Sequence, residues 1–392
     1  MSTYVPTYQG LSAFELVRPR PPAPACFPFN TARLGFYRAR NAIYYLFKAL
    51  RSLKPRMVVL APDYNSGNEI LALRAAGATL HFYRINTDMQ PDVNQIEELC
   101  RRHDPDVLYV IHYLGWPQPL DHMRRICRER TMILVEDCAL SLLSAPEGQP
   151  LGSTGDFSVF CLYKTLPVPN GSLLVQNTLS LDPLDRLQLR RAGAASVLGR
   201  MAELVVERSR GRGAGLGAVL QTTKRVLGRA AGAARVRRAS VGDLGFNLAE
   251  VDLEMSRATN RLLHRFDFPT IQARRARNYR AMQAALNGHV TAARPDLPDG
   301  VCPLFFPILV RDKAAAACAL RASGIQALEF WNYGADSADT ESSDIRFLRS
   351  HLLALPVHQD LSPRQIDHMA RRVADLNLRL EPPSPSLRCP RS

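Results

Sequence analysis

The chain has 392 residues, 46% hydrophobic and 22% charged, which is the composition of a globular protein with a large core. No apolar run approaches the roughly 20 residues that a membrane-spanning helix needs, and residues 1–30 lack the charged-then-apolar pattern of a secretory signal. The net charge of +14 is concentrated in residues 186–240, which hold 13 Lys or Arg and two acids.

The cysteines and the basic segment limit the classes of site and partner. The eight cysteines include no C-x-x-C pair, so we expect reduced thiols in a cytoplasmic protein, without a disulfide framework or a metal site. The basic segment 186–240 is either a solvated insertion or a surface for anionic partners. We expect no specific nucleic acid partner, and a peripheral contact with an anionic surface stays open.

The first half of the chain alternates between two periods. After an extended, Pro-rich lead-in, residues 36–53 form an amphipathic helical pattern with Ile43, Leu46, Phe47, Leu50 and Leu53 on one stripe. Nearly continuous apolar runs then predict strands buried on both faces of a mainly parallel sheet. These runs are 57–62, 79–85, 107–114, 132–137, 158–163 and 172–176. Helical segments between them (65–77, 92–103 and 118–130) predict an α/β domain.

The pattern changes after residue 180. Two helical stretches, 248–266 and 274–286, lead into a smaller unit. That unit has a strand at 304–310, a helix capped by Gly324, an extended segment at 352–358 and a closing helix with Ser362 at its N-cap position. The predicted domains are a lead-in (1–34), a large α/β domain (35–245) including the basic segment, connecting helices (246–300), a small C-terminal α/β domain (301–378) and a disordered tail (379–392).

Lys164 ends one of the apolar runs, in a chain with five lysines and 45 arginines. A lysine amine forms an imine with an aldehyde, which arginine does not do. Asp137 ends the run MILVED, 27 residues earlier, and carboxyl ends of parallel strands face one crevice. An Asp there can hold a proton on a heteroaromatic nitrogen, as pyridoxal phosphate requires. Each residue alone is more often structural, as a helix cap or a strand-end lysine, but the pair favours such a site.

A phosphorylated cofactor also needs a site for its phosphate. The chain has no G-x-x-x-x-G-K-[ST] and no G-x-G-x-x-G, so nucleotide-binding loops are not supported. The start of the helix near Arg40-Asn41-Ala42 offers backbone N–H groups and the positive end of a helix dipole. The segment GSTGDFS (152–158) supplies hydroxyls and a glycine-rich backbone.

The order of these segments resembles the DegT/StrS family of pyridoxal-phosphate-dependent sugar aminotransferases, which have fold type I. The resemblance covers about residues 35–185 and 243–378. It is carried by VVLAPDYNSGNEILALRAAGATLHFYRINTD, VIHYLGWPQPLDHMRRICRERTMILVEDCA, LGSTGDFSVFCLYKTLPVPNGSLLV and LGFNLAEVDLEMSRATNRL.

The resemblance implies roles for individual residues. Lys164 would be the Schiff-base lysine, and Asp137 would pair with the pyridine nitrogen of the cofactor. Asn41 and Ala42 would bind the phosphate through backbone N–H groups. Asn247 would reach that phosphate from the neighbouring subunit, which implies a homodimer with shared active sites.

Other positions depart from the family pattern. Tyr64 is a candidate for stacking on the cofactor ring. Leu140 stands where the family has Gln or His, and Val159 stands at the position of the phosphate-binding Ser. Either the strand is shifted relative to the family pattern, or another hydroxyl or thiol, at Ser158 or Cys161, replaces that serine.

The resemblance implies transfer of an amino group from an amino acid, expected to be glutamate, to a keto sugar that is often nucleotide-linked. The departures leave two alternatives open. One is another reaction on the same fold, such as a lyase, dehydratase or acyltransferase. The other is a binding or scaffold protein that uses the basic segment.

Trp331 and Tyr333 either line the substrate mouth or pack in the core or on the surface.

Overall fold

The structure is a computed structural model that describes residues 3–12, 14–15, 26–212, 245–334 and 342–380. Residues 213–240, about half of the predicted basic segment, and the predicted tail beyond residue 380 lie outside these described residues. Within them, every helix is too short or too polar to cross a bilayer.

Seven strands form the large sheet, and they are nearly the strands that the apolar runs predict. They are β1 (Arg33–Phe36), β2 (Val58–Pro62), β3 (Thr79–Tyr83), β4 (Val107–Ile111), β5 (Ile133–Cys138), β6 (Phe157–Cys161) and β7 (Ser172–Gln176). The order is β1-β7-β6-β5-β4-β2-β3. Strands β3, β2, β4, β5 and β6 pair in parallel, whereas β7 pairs antiparallel with both of its neighbours, β6 and β1. The prediction of a mainly parallel sheet is confirmed.

Helices cover this sheet and extend beyond it. They are α1 (Ala39–Leu50), α2 (Asn68–Ala75), α3 (Val93–His103), α4 (Leu120–Glu129), α5 (Asp182–Asp185), α6 (Ala194–Gly211), α7 (Arg257–Leu263) and α8 (Phe268–Ala285). On α1, the predicted stripe is buried from Ile43 to Leu50, but Leu53 lies past the end of the helix and is exposed. The stripe therefore anchors α1 on the sheet and sets where its N-terminal end points.

The predicted helix at 248–266 is wrong. Only Leu248–Glu250, as a 3-10 turn, and α7 are helical there. Between them, Leu253 pairs with Arg190 and Glu254 pairs with Phe36, so backbone pairing with neighbouring segments replaces helical bonds. Ser256 then starts α7, because its side chain accepts a hydrogen bond from Thr259 N.

A second sheet of four antiparallel strands forms the small unit. Its strands are β8 (Thr291–Ala292), β9 (Phe305–Leu309), β10 (Leu328–Glu329) and β11 (Leu352–Pro356), in the order β10-β11-β9-β8. Helices α9 (Lys313–Ala322), α10 (Ser343–His351) and α11 (Pro363–Asp375) accompany it. Ser362 caps α11 with a complete capping box, as predicted. The first strand lies before residue 301, where the sequence places the start of this domain.

The N-terminal segment, residues 3–12, is extended but packed. Val5 and Leu11 have no exposed surface. Val5 forms a bridge with Ile325 beside the small sheet, and Leu11 N donates to Leu204 O of α6 at 3.0 Å. This segment therefore joins the small unit to α6.

Candidate active site

Glu136 and Asp137 immediately precede Cys138, the last residue of β5, and their side chains face opposite sides of the sheet. Glu136 accepts hydrogen bonds from the backbone N–H groups of Gly152, Thr154 and Gly155 and pairs with His112 Nε2 at 2.9 Å. Burial raises the pKa of Glu136, but the hydrogen bond and charge of His112, with those N–H groups, hold it below its usual range. Glu136 therefore fixes the loop at 152–155, while the next side chain faces the other way.

Asp137 faces the cavity side and is 4% exposed. Its Oδ2 accepts from the Tyr109 hydroxyl at 2.5 Å, and its Oδ1 accepts from Ala139 N at 2.8 Å. Burial raises the pKa of Asp137, whereas the Tyr109 hydrogen bond and the charge of Lys164 oppose that rise. The carboxyl is thus held in a fixed orientation at the carboxyl end of a parallel strand.

Lys164 lies in the turn that follows β6 and is half-buried. It lines the same cavity as Asp137, with a volume of about 590 Å³. The cavity wall also includes Ala39, Arg40, Leu140, Cys161, Arg200 and Trp331. The structure therefore brings the predicted lysine and the predicted aspartate together, on strands β5 and β6 that pair in parallel.

The Lys164 turn is held by a buried arginine of α8. Arg275 is 1% exposed, and its Nη2 donates to Thr165 O at 3.2 Å. Gln359 Nε2 donates to the same carbonyl, and Gln359 Oε1 accepts from Arg275 Nε at 2.8 Å. The backbone next to Lys164 is thus fixed from two sides, which limits the directions in which the amine can point.

At the predicted phosphate site, the residues that line the cavity lie two positions before the predicted ones. Helix α1 begins at Ala39, and Ala39 and Arg40 line the Lys164 cavity. The backbone N–H groups of Asn41 and Ala42 instead donate to Arg38 O, within the first turn of the helix. The Asn41 side chain donates to Glu250 O at 2.9 Å. The helix start that can receive an anion is therefore at Ala39 and Arg40.

Strand β6 separates the two candidates for the missing serine. Ser158 lies on the face towards Gly152, away from Asp137, and within the described residues its hydroxyl has no hydrogen-bond partner. Cys161 lies on the face of Val159 and lines the Lys164 cavity. Burial raises the pKa of the Cys161 thiol, against the opposing charge of Lys164. Of the two, the structure brings only Cys161 to the cavity.

Tyr64 lies behind the cavity wall. It has no exposed surface, and its ring centroid is 5.1 Å from that of Trp331. Trp331 and Tyr333 line the cavity, and their role at a substrate mouth stays a prediction. Tyr64 supports Trp331 from behind and does not itself present a ring to the cavity.

Asn247 is exposed, and its side chain accepts from Ala249 N at 3.0 Å. The same loop contacts the cavity rim at Gly245, whose N–H donates to Asn68 Oδ1 and whose carbonyl accepts from Arg40. The predicted role of Asn247 in a neighbouring subunit's site stays a prediction.

The cavity residues that were not predicted from sequence include Tyr8, Glu69 and Arg200. Tyr8 and Arg200 come from segments without a motif. Glu69 accepts from Ser66 N at 2.6 Å at the start of α2, and the S-x-x-E spacing is a signal for such a cap. Burial, with the nearby charge of Asp137, raises the pKa of Glu69.

The donor set fits pyridoxal phosphate. One cavity presents an amine at Lys164, a fixed carboxyl at Asp137, and the N-terminal end of a twelve-residue helix beside Arg40. These groups suit an aldehyde, a pyridine nitrogen and a phosphate, respectively. Leu140 adds no hydrogen-bond donor to the wall.

The family profile described as the DegT/DnrJ/EryC1/StrS aminotransferase family matches residues 39–194, which confirms the predicted resemblance over this segment. GDP-perosamine synthase of Escherichia coli O157:H7 is 27% identical over 126 residues. That alignment covers 31% of this chain and 34% of the relative, so the match spans about a third of that relative's length.

The solved structures that share the fold include two aminotransferase-like examples. Helicobacter pylori PseC, an aminotransferase involved in the biosynthesis of pseudoaminic acid, has a TM-score of 0.62 at 16% identity, covering 88% of this chain and 86% of its own. The ntda protein of Bacillus subtilis with bound cofactor PMP has a TM-score of 0.60 at 17% identity, covering 88% and 73%. The predicted fold type I architecture is confirmed.

Proposed function

We propose, from the premise that residues 39–194 carry the pattern of the DegT/DnrJ/EryC1/StrS aminotransferase family, that this chain is a pyridoxal-phosphate-dependent aminotransferase. The observation that carries the proposal is the placement of Lys164 and Asp137 in one cavity, beside the start of α1. The donor is expected to be glutamate and the acceptor a keto sugar. The nucleotide-linked form of that sugar is supported by the relatives, which include GDP-perosamine synthase.

Each residue has a defined task. Lys164 Nζ would hold the cofactor and would move a proton to and from the substrate carbon. Asp137 would hold the proton on the pyridine nitrogen, and Tyr109 keeps that carboxyl oriented. The start of α1 and Arg40 would balance the phosphate charge. When bound, pyridoxal phosphate supplies the electron sink for the substrate carbanion.

The test is reductive trapping on the purified protein. Borohydride treatment followed by peptide mass spectrometry is expected to find the cofactor on Lys164, and glutamate is expected to abolish this trapping as 2-oxoglutarate forms. Lys164→Ala should remove the labelled peptide and the visible absorbance. The exposed Lys48 provides the control, because Lys48→Ala should behave as wild type.

Two outcomes contradict the proposal differently. A wild-type protein that is colourless and untrapped would favour the scaffold alternative. Trapping that glutamate does not change would favour another reaction on the same fold. Leu140 supports that alternative, since it cannot hydrogen-bond the cofactor.

We also propose a cytoplasmic homodimer. The seven described cysteines support the compartment, because all are free thiols.

A further inference from the structure

Arg200 stands where two cavities meet. It lines the Lys164 cavity and also a second cavity of about 480 Å³, formed by residues 4–9, helix α6 and Gln326. Tyr8 is the other residue common to both walls. These two side chains therefore lie between the cavities and contact both.

Helix α6 is fixed in place by contacts around Arg200. Leu11 N donates to Leu204 O, Arg208 pairs with Asp360, and the Tyr4 hydroxyl donates to the Glu207 carboxylate. The helix is thus tied to the N-terminal segment and to the loop before α11. Its side chains are positioned before any ligand arrives, which reduces the entropic cost of binding.

Arg200 keeps a donor for a ligand. Its Nη1 donates to Glu203 Oε2 at 3.0 Å, which orients the guanidinium. In the described part of the chain, its Nε is buried and has no hydrogen-bond partner, while the side chain is 31% exposed. The other arginines of the Lys164 cavity are engaged by protein groups: Arg38 pairs with Glu250, and Arg40 donates to Asn68.

Gln9 adds a second donor in the second cavity. It is 1% exposed, and its Oε1 accepts from Arg275 Nη2 at 2.9 Å. That bond leaves Nε2 as the donor end of the amide, and no described residue accepts from it. A group that carries only acceptor oxygens would satisfy both Gln9 and Arg200.

We infer that Arg200, together with Gln9, binds an anionic oxygen group of the substrate while the reacting end of that substrate meets Lys164. The group is a carboxylate of the amino acid donor or a phosphate of the acceptor. The acids Glu203 and Glu207 also line this region, but each is engaged, by Arg200 and by Tyr4 respectively. The inference rests on the proposed function, and α6 lies almost wholly beyond the segment that the family profile matches.

The test is calorimetric titration of the full chain with two probes, glutarate and GDP. Because a hydrogen bond to a charged group contributes about 1.5–3 kcal/mol, Arg200→Met should weaken one probe by about 10- to 100-fold, with a smaller loss in Arg200→Lys. Loss of glutarate binding would assign the donor carboxylate, and loss of GDP binding would assign the acceptor phosphate. Arg210→Met is the matched control, since Arg210 lies on the same helix, pairs with Glu207 and lines only the second cavity.

The inference is overturned if wild type binds neither probe, or if both Arg200 variants bind both probes as wild type does. The melting temperatures of Arg200→Met and Arg210→Met should agree, and if Arg200→Met does not fold, Arg200→Lys alone decides. The titrations need no turnover, so failure here is separable from failure of the proposed function. If the wild type binds glutarate through Arg200 but is not trapped at Lys164, only the proposed function is refuted, and the inference about Arg200 stands.

Discussion

Residues that are neighbours in sequence have different roles here because their side chains face opposite sides of the sheet. Glu136 and Asp137 are adjacent, yet one fixes the loop at 152–155 and the other faces the Lys164 cavity. The same alternation separates Ser158 from Cys161 on β6. A sequence match that is displaced by one residue along a strand therefore assigns a residue to the wrong face.

Lys313 is a buried lysine outside the site. Its Nζ donates to Phe330 O at 2.6 Å and to Arg349 O at 2.8 Å. Burial lowers the pKa of Lys313 from its ordinary 10.5 to about 7. Between these two pH values the unfolded chain binds more protons than the folded one, so the free energy of unfolding should rise with pH across this window.

Lys313→Met should remove that rise. Urea denaturation in steps from about pH 7 to pH 9 should show a flatter pH dependence than wild type, by at most about 1.4 kcal/mol per pH unit. The variant should also lose stability at every pH, because two buried carbonyls lose their donor. Lys48→Met, at an exposed position, should run parallel to wild type. Parallel curves for Lys313→Met would show that this lysine titrates normally.

At the scale of elements, Arg275 joins α8 to the Lys164 turn and the N-terminal segment. Its guanidinium donates to Gln9, Gln359 and the carbonyls of Thr165, Pro303 and Leu304. Arg275→Met leaves several of these buried acceptors unsatisfied, so it should lower the free energy of unfolding by about 3 kcal/mol or more.

Chemical denaturation of Arg275→Met and Arg274→Met tests this expectation. Arg274 is the next residue on the same helix and is exposed, so its variant should change the free energy of unfolding by less than about 0.5 kcal/mol. Equal effects of the two substitutions would mean that the buried network around Thr165 contributes nothing to stability.

The elements also show how far sequence reasoning reaches. Strands β2 to β7 were predicted because buried strands are continuous apolar runs, and Lys164 and Asp137 followed because strand ends converge. Strand β1 was missed because RLGF is short and lies at the sheet edge. The predicted helix at 248–266 was wrong because backbone pairing with Arg190 and Phe36 overrode its local pattern. Tyr8 and Arg200 reach the cavity only through tertiary packing, which no local pattern encodes.

At the scale of the whole molecule, the exposed Asn247 makes the predicted homodimer testable. Lys164→Ala and Asn247→Ala should each be inactive alone, the second through weakened cofactor binding. If sites are shared, a mixture of the two should recover about one quarter of wild-type activity, because half of the random dimers are mixed and each has one intact site.

Subunit exchange must be allowed before the assay, and sedimentation should report a dimer for each variant. Recovery should be absent when Lys164→Ala is mixed with the double variant Lys164→Ala/Asn247→Ala. No recovery in the first mixture, with dimers present, would show that Asn247 serves no partner site.

The N-terminal segment packs against residues that are synthesised much later than itself. Residues 3–12 leave the ribosome more than 300 residues before the segments they contact, because Val5 pairs with Ile325 and Gly10 N donates to Asp360 Oδ2 at 3.2 Å. The wall at Tyr8 therefore stays incomplete until residue 360 has been made. During translation, the large sheet can fold around Lys164 while its cavity still lacks this wall.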